Sequence, residues 1–194
     1  MPDQSLINVP EGQTLSYFVL DDFFALRRLL PAFQNLMTHP SRMQRAVNLY
    51  EGGFSDVREP SLQMIVWVMG IETALSRENE DEILPQNALI GRLAKVLNLN
   101  QPLYEQVEGQ EIPIESRLAL GDLLPDVFKL RNRIVHGQWI PDEWRERIGF
   151  VSEPTKINVL YSETLRHAAS YILRRLILSH LERHSSSAIS SANQ

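Results

Sequence analysis

Leu62-Gln63-Met64-Ile65-Val66-Trp67-Val68-Met69-Gly70-Ile71-Glu72-Thr73-Ala74-Leu75 decides what kind of fold this chain can have. At ~100° per residue, Leu62, Ile65, Val66 and Met69 fall on one side of a helix, and Met64, Val68, Ile71 and Leu75 on another. A helix that is apolar around most of its circumference is expected inside a bundle of other helices. The uninterrupted apolar run, Met64 to Ile71 with Gly70 counted in, is far short of the ~20 residues that a membrane span needs. Glu72 ends it, on a face shared with Ile65, Val68 and Met69. A carboxylate in such company is usually partnered.

The flanking sequence reads as more helices. Pro60-Ser61 opens the central one, expected from about Leu62 to Arg77. Upstream, Ser41 is a good N-cap for a short helix through Tyr50, which Gly52-Gly53 are expected to stop. Leu15 to Met37 has helical apolar spacing with Pro31 as a kink or break. Downstream, helices are expected over Asn87 to Leu97 and over Ile114 to His136, the latter bent near Gly121 and Pro125. Gly137 suits the left-handed C′ position that closes it. A short helix from Pro141 to Gly149 and a last one from Thr155 to His184 follow. The stripe of the last is Leu165, Ala168, Ala169, Ile172, Leu173, Leu176, Ile177 and Leu181. Ile148 to Ser152 is the best strand candidate, and a weak one.

The expected fold class is therefore all-α, an antiparallel helical bundle. Residues 1–13 read as a loose arm, 14–60 as an N-terminal helical extension, 61–184 as the bundle, and 185–194 as a disordered Ser/Ala tail.

Composition narrows the chemistry. At 194 residues, 43% apolar and 22% charged, the chain is neither disordered nor membrane-embedded, and it is long enough for one domain. It has no cysteine, so disulfides, thiolate nucleophiles and cysteine-held zinc are excluded. Met1-Pro2-Asp3-Gln4 lacks the basic start of a secretory signal, and a cytoplasmic location is expected. The net charge of −5 disfavours a generic nucleic-acid coat. The first 114 residues carry 15 acids and 8 Lys or Arg, and the remainder 9 and 11. Within that second part, Val127 to Ile140 holds Lys129, Arg131, Arg133 and His136 without one acid. No Gly-rich phosphate loop and no Gly-x-Ser-x-Gly elbow is present. His180-x3-His184 has metal-pair spacing, yet it lies where a helix end frays, and surface histidines explain it better than a metal.

One segment carries a chemical signature: Leu130-Arg131-Asn132-Arg133-Ile134-Val135-His136-Gly137. Arginine stays charged and binds phosphate oxygens through two donors, and histidine exchanges protons near neutral pH. The bland alternative stays open, with Arg131 paired to a bundle acid such as Glu72 and His136 favoured by a helix C-terminus.

The Arg-x4-His motif resembles the HEPN superfamily. The order of Val66 to Leu75, then Ile90-Gly91-Arg92-Leu93-Ala94, then Phe128 to Arg133 and His136-Gly137 is similar to its ApeA-like branch, over about residues 62–184. The resemblance implies a homodimeric, metal-independent endoribonuclease that needs no cofactor. Arg131 and His136 would be catalytic with Asn132 as their polar neighbour, and Lys129 and Arg133 would face RNA. Glu72 would give structural support. It also suggests toxin or antiviral roles, hence a cognate antitoxin as partner. A catalytically silent module that binds a protein or a nucleotide is the rival reading. Five residues at ~100° put Arg131 and His136 about 140° apart, so one copy does not converge them and a dimer is expected to. Trp67 is expected in the core, with Trp139 and Trp144 covering the bundle.

Overall fold

Ser41 begins α2 (Arg42–Ser55) as expected, its hydroxyl accepting the Gln44 amide at 3.0 Å. The structure, a computed structural model, describes residues 20–76, 84–101, 103, 119–139, 147–152 and 155–191. The loose arm, the start of the first helix, residues 114–118 and Trp144 lie outside these. Before α2, α1 (Leu20–Thr38) runs through Pro31 without a break, with Leu29 and Leu36 buried on either side of it. The helix α3 (Pro60–Leu75) has proline at its first turn, where no amide bond is lost. Glu59 caps it by accepting the Leu62 amide at 2.7 Å.

Gly52-Gly53 do not stop α2, which continues to Ser55. The reason is packing. Gly53 lies flat against the Trp67 indole, where any Cβ would overlap the ring. Trp67 in turn donates from Nε1 to the Tyr50 carbonyl at 3.2 Å. With the Gln63 amide donating to Val57 O at 2.8 Å, these contacts set α2 antiparallel to α3.

The last helix, α6 (Tyr161–Ser191), does not follow the antiparallel expectation. Arg166 donates to Gln63 at 2.7 Å, and seven residues further along each helix Gly70 lies directly against Leu173. The two helices thus run in the same direction. Short loops force antiparallel neighbours, whereas α4 (Gln86–Leu93), α5 (Leu120–Val135) and a hairpin intervene here. The hairpin pairs β1 (Arg147–Ser152) with β2 (Thr155–Leu160), Ile148 opposite Val159 and Phe150 opposite Ile157. Gly149 is therefore a strand residue and not a helix stop, and α6 starts six residues later than expected. Alternating β-branched and aromatic residues suit strands. At the other end α6 extends through 185–191, so this part of the expected disordered tail is helical. Alanine and serine tolerate that conformation.

Among the described residues, helix is the dominant structure, and no helix is long and apolar enough to cross a membrane. One buried cluster takes residues from all six helices, including Ala46 and Val47, Met64, Trp67, Val68 and Ile71, Leu123, Leu124 and Val127. The whole predicted α6 stripe is buried in it. The all-round burial expected for α3 is not observed. Leu62 is 51% and Met69 44% exposed, with Ile65 and Val66 half-buried between them. Packing by α2, α5 and α6 takes up the Met64, Trp67, Val68 and Ile71 sides only.

The two kinds of helical glycine give a paired prediction. Gly91 in α4 is exposed with open space around it, so Gly91→Ala gains ~0.8–1 kcal/mol of helix propensity. Gly53→Ala gains the same but drives a methyl into Trp67, an overpacking cost of about 1–3 kcal/mol. Thermal melts are expected to rise by about 2–4 °C for the first and fall by a similar amount for the second. A higher melting temperature for Gly53→Ala would contradict the tight α2–α3 contact.

Candidate functional site

The segment with the Arg-x4-His motif forms the last turns of α5. Leu120, Leu123, Leu124, Val127, Phe128 and Leu130 bury one face of this helix. With Leu130 turned inward, Arg131 leans along the side toward α3, while Asn132 and His136, four residues apart, both face solvent. The helix ends as its sequence predicts. Gly137 adopts φ 62°, its amide bonding Ile134 O at 3.1 Å, and the Gln138 amide reaches back to Arg133 O at 2.7 Å. This paired closure is the Schellman motif. It leaves His136 exposed at the C-cap.

Arg131 and Glu72 meet as a chelated pair. Arg131 Nη2 donates to Glu72 Oε2 at 2.8 Å and to Oε1 at 3.1 Å, and Nη1 donates to Asn132 Oδ1 at 2.9 Å. Each of the charged side chains keeps 24% of its exposure. Arg131 Nε–H is buried and has no hydrogen-bond partner among the described residues. Burial holds the Glu72 carboxyl above its usual range, and the Arg131 charge and hydrogen bonds offset this only in part.

The remaining expected site residues are more scattered. Lys129 is exposed and makes a long 3.7 Å ion pair with Asp126 in the preceding turn. Arg133 donates to the Trp139 carbonyl at 2.9 Å, which ties the chain after the helix back onto α5. Trp139 does not cover the core, since it is 68% exposed; Trp67 is buried as expected. Among the described residues no hydrogen bond joins Arg131 to His136. A single chain therefore brings together Glu72, Arg131 and Asn132, and leaves His136 apart.

Sequence reasoning misplaced one group. His180 and His184 are well inside α6, not at its frayed end, and face a cavity shared with His39 and Arg42. Their i,i+4 spacing was the available signal, but the partners come from a distant segment. Among the described residues no cluster of three or more His, Asp or Glu is arranged to hold a metal ion. No family model matches this chain, and no curated protein or solved structure does either.

The ion pair yields a pH prediction. Because the folded carboxyl pKa is raised, the contribution of Glu72 is full below its unfolded pKa and is lost as pH rises through the folded value. Denaturant titrations across pH are expected to show wild type losing stability relative to Glu72→Gln over that interval, with a constant offset above it. A wild type that gains over the same interval would mean that Arg131 outweighs burial. At neutral pH, Glu72→Ala strands a half-buried arginine. The expected cost is about 1–3 kcal/mol, between an exposed pair and a fully buried one.

Proposed function

We propose that the chain is a metal-independent endoribonuclease of the HEPN type, acting as a homodimer whose two α5 ends share one cleft. The observation that supports this most is the arrangement at that end: an exposed His136 at a helix terminus closed by backbone hydrogen bonds, one turn from Asn132 and its partner Arg131. In the proposed reaction an imidazole removes the proton of the 2′-hydroxyl. The freed oxygen attacks the adjacent phosphorus, the bond to the 5′-oxygen breaks, and an imidazolium protonates the leaving oxygen. The products are a 2′,3′-cyclic phosphate and a 5′-hydroxyl. His136 of one protomer acts first as the base and then, as the imidazolium so formed, as the acid, beside Arg131 and Asn132 of the partner. Arg131 and Asn132 orient the phosphate, and Lys129 and Arg133 contribute positive charge to RNA. A cytoplasmic toxin or antiviral role, with a cognate antitoxin as partner, goes with this reading.

A second reading has its own support. Glu72 occupies both oxygens on Arg131 Nη2 and neutralises the charge that a phosphate would need. In that case the chain is a catalytically silent module of the same type that binds a protein partner or a nucleotide.

Incubation with total RNA in EDTA separates the two. Wild type is expected to cleave, leave cyclic phosphate ends and spare DNA of the same sequence, which lacks the 2′-hydroxyl. His136→Ala is expected to abolish cleavage while shifting stability by no more than about 0.5 kcal/mol, since the side chain is exposed. No cleavage of any RNA by wild type, or undiminished cleavage by His136→Ala, favours the silent module.

A further inference from the structure

The helix α1 has more apolar residues than the bundle takes up. It packs against α6 and α2. Leu29 and Leu36 are buried there, and Ala32 lies between them against the core. About 110° further around the helix runs a second apolar line, at positions Phe23, Leu26, Leu30, Phe33 and Met37. Its intervals are three, four, three and four residues. That alternation averages 3.5, the repeat of a helix seam that follows another helix along its length. Leu30 is 46% and Phe33 37% exposed, and Met37 is half-buried. Single apolar residues scattered over a surface need no partner, but a line with this period does. The outer side of α1 is of another kind. Arg27, Arg28, Gln34 and Asn35 are exposed there, and so is Pro31, which keeps the proline ring out of the seam.

We propose that α1 pairs in parallel with α1 of a second copy of this chain, closing the seam as a short two-stranded coiled coil. In heptad terms Phe23, Leu30 and Met37 are a positions and Leu26 and Phe33 are d positions, which puts Asp22 at g and Arg27 at e. In a parallel pair the g residue of one helix meets the e residue five positions later on the other. Asp22 of each copy therefore comes opposite Arg27 of its mate, twice by symmetry. An antiparallel pair sets g beside g and e beside e. The other g positions of α1 are Leu29 and Leu36, and the other e positions are Leu20 and Gln34, so no opposite charges would meet. The charge pattern is thus complementary to itself, and only in the parallel direction. Two heptads are marginal for isolated helices, which must first form. Here Leu29 and Leu36 already hold α1 on the bundle, so pairing does not carry the cost of ordering it. The contact uses no residue of α5 and does not depend on the ribonuclease reading.

The chain has no cysteine, which allows a clean cross-linking test on the full protein. Leu26→Cys and Phe33→Cys each put a thiol in a d layer, and Arg28→Cys puts one on the outer side. Thermal melts check that all three fold. With a short bis-maleimide and micromolar protein, both d-layer variants are expected to form covalent dimers about tenfold faster than Arg28→Cys or more, since paired thiols meet at a far higher effective concentration. The two d layers lie about 10 Å apart along the helix, so an antiparallel pair brings at most one of them against itself. Adding Asp22→Arg or Arg27→Asp to Phe33→Cys is expected to slow cross-linking in each chain alone, and mixing the two chains to restore it. Cross-linking at one d layer but not the other overturns the parallel pairing, as does failure of the mixed chains to recover. Equal rates for all three cysteine variants overturn any contact along the seam. Slow labelling of the Phe33→Cys thiol without dimers would mean that another segment of the same chain covers the seam, and overturns the proposal as well.

Discussion

Glu72 and Arg131 are held together at a depth where neither can be solvated in full and neither can be left alone. Arginine does not lose its proton, so once α5 packs against α3 the carboxylate has to stand opposite it. The pair lies beside Ile71 and Leu130, both of which point into the core. This sets the rotation of α5 about its own axis. With Leu130 in and Arg131 against Glu72, Asn132 and His136 have only the solvent side left to them. The chemistry of the helix end thus follows from the packing of the helix middle.

Local rules that depend on a few neighbouring residues were legible in the sequence. The Ser41 cap, the left-handed Gly137, the buried α6 stripe and the Glu72–Arg131 pairing all follow from spacing and side-chain chemistry. Features decided by distant partners were not. Gly52-Gly53 look like a helix stop until Trp67 arrives from another helix to make glycine necessary at position 53. The hairpin joins Ser152 to Thr155 across Glu153-Pro154, which carries none of the Asn-Gly signal of tight hairpins. Its alternation, Ile148 with Phe150 and Ile157 with Val159, is only two apolar residues deep on each strand. The parallel course of α3 and α6 depends on the length of what lies between them, and periodicity does not carry that information. The candidate site was legible as residues and in the Glu72–Arg131 pairing, and the spacing of Arg131 and His136 showed their divergence, while the division of the guanidinium between Glu72 on Nη2 and Asn132 on Nη1 required the structure.

The same ion pair shapes how the proposed activity would work. An arginine chelated by a carboxylate is precisely placed but partly spent, and its partner Asn132 uses another of its donors. Such an arginine orients a phosphate more readily than it neutralises one. The exposed imidazole five residues on takes no part in those bonds, and among the described residues no hydrogen bond joins it to Arg131. In the proposed reaction a productive site would draw on a second α5 end, which is the central claim of this account.

Subunit complementation tests that claim most directly. Arg131→Gln and His136→Ala proteins are each expected to be inactive on RNA. Mixed dimers formed by co-expression combine the intact arginine of one protomer with the intact histidine of its partner, and they are expected to recover cleavage. Mixed dimers as inactive as either parent, alongside an active wild type, would contradict a shared site and place Arg131 and His136 in the same chain's chemistry.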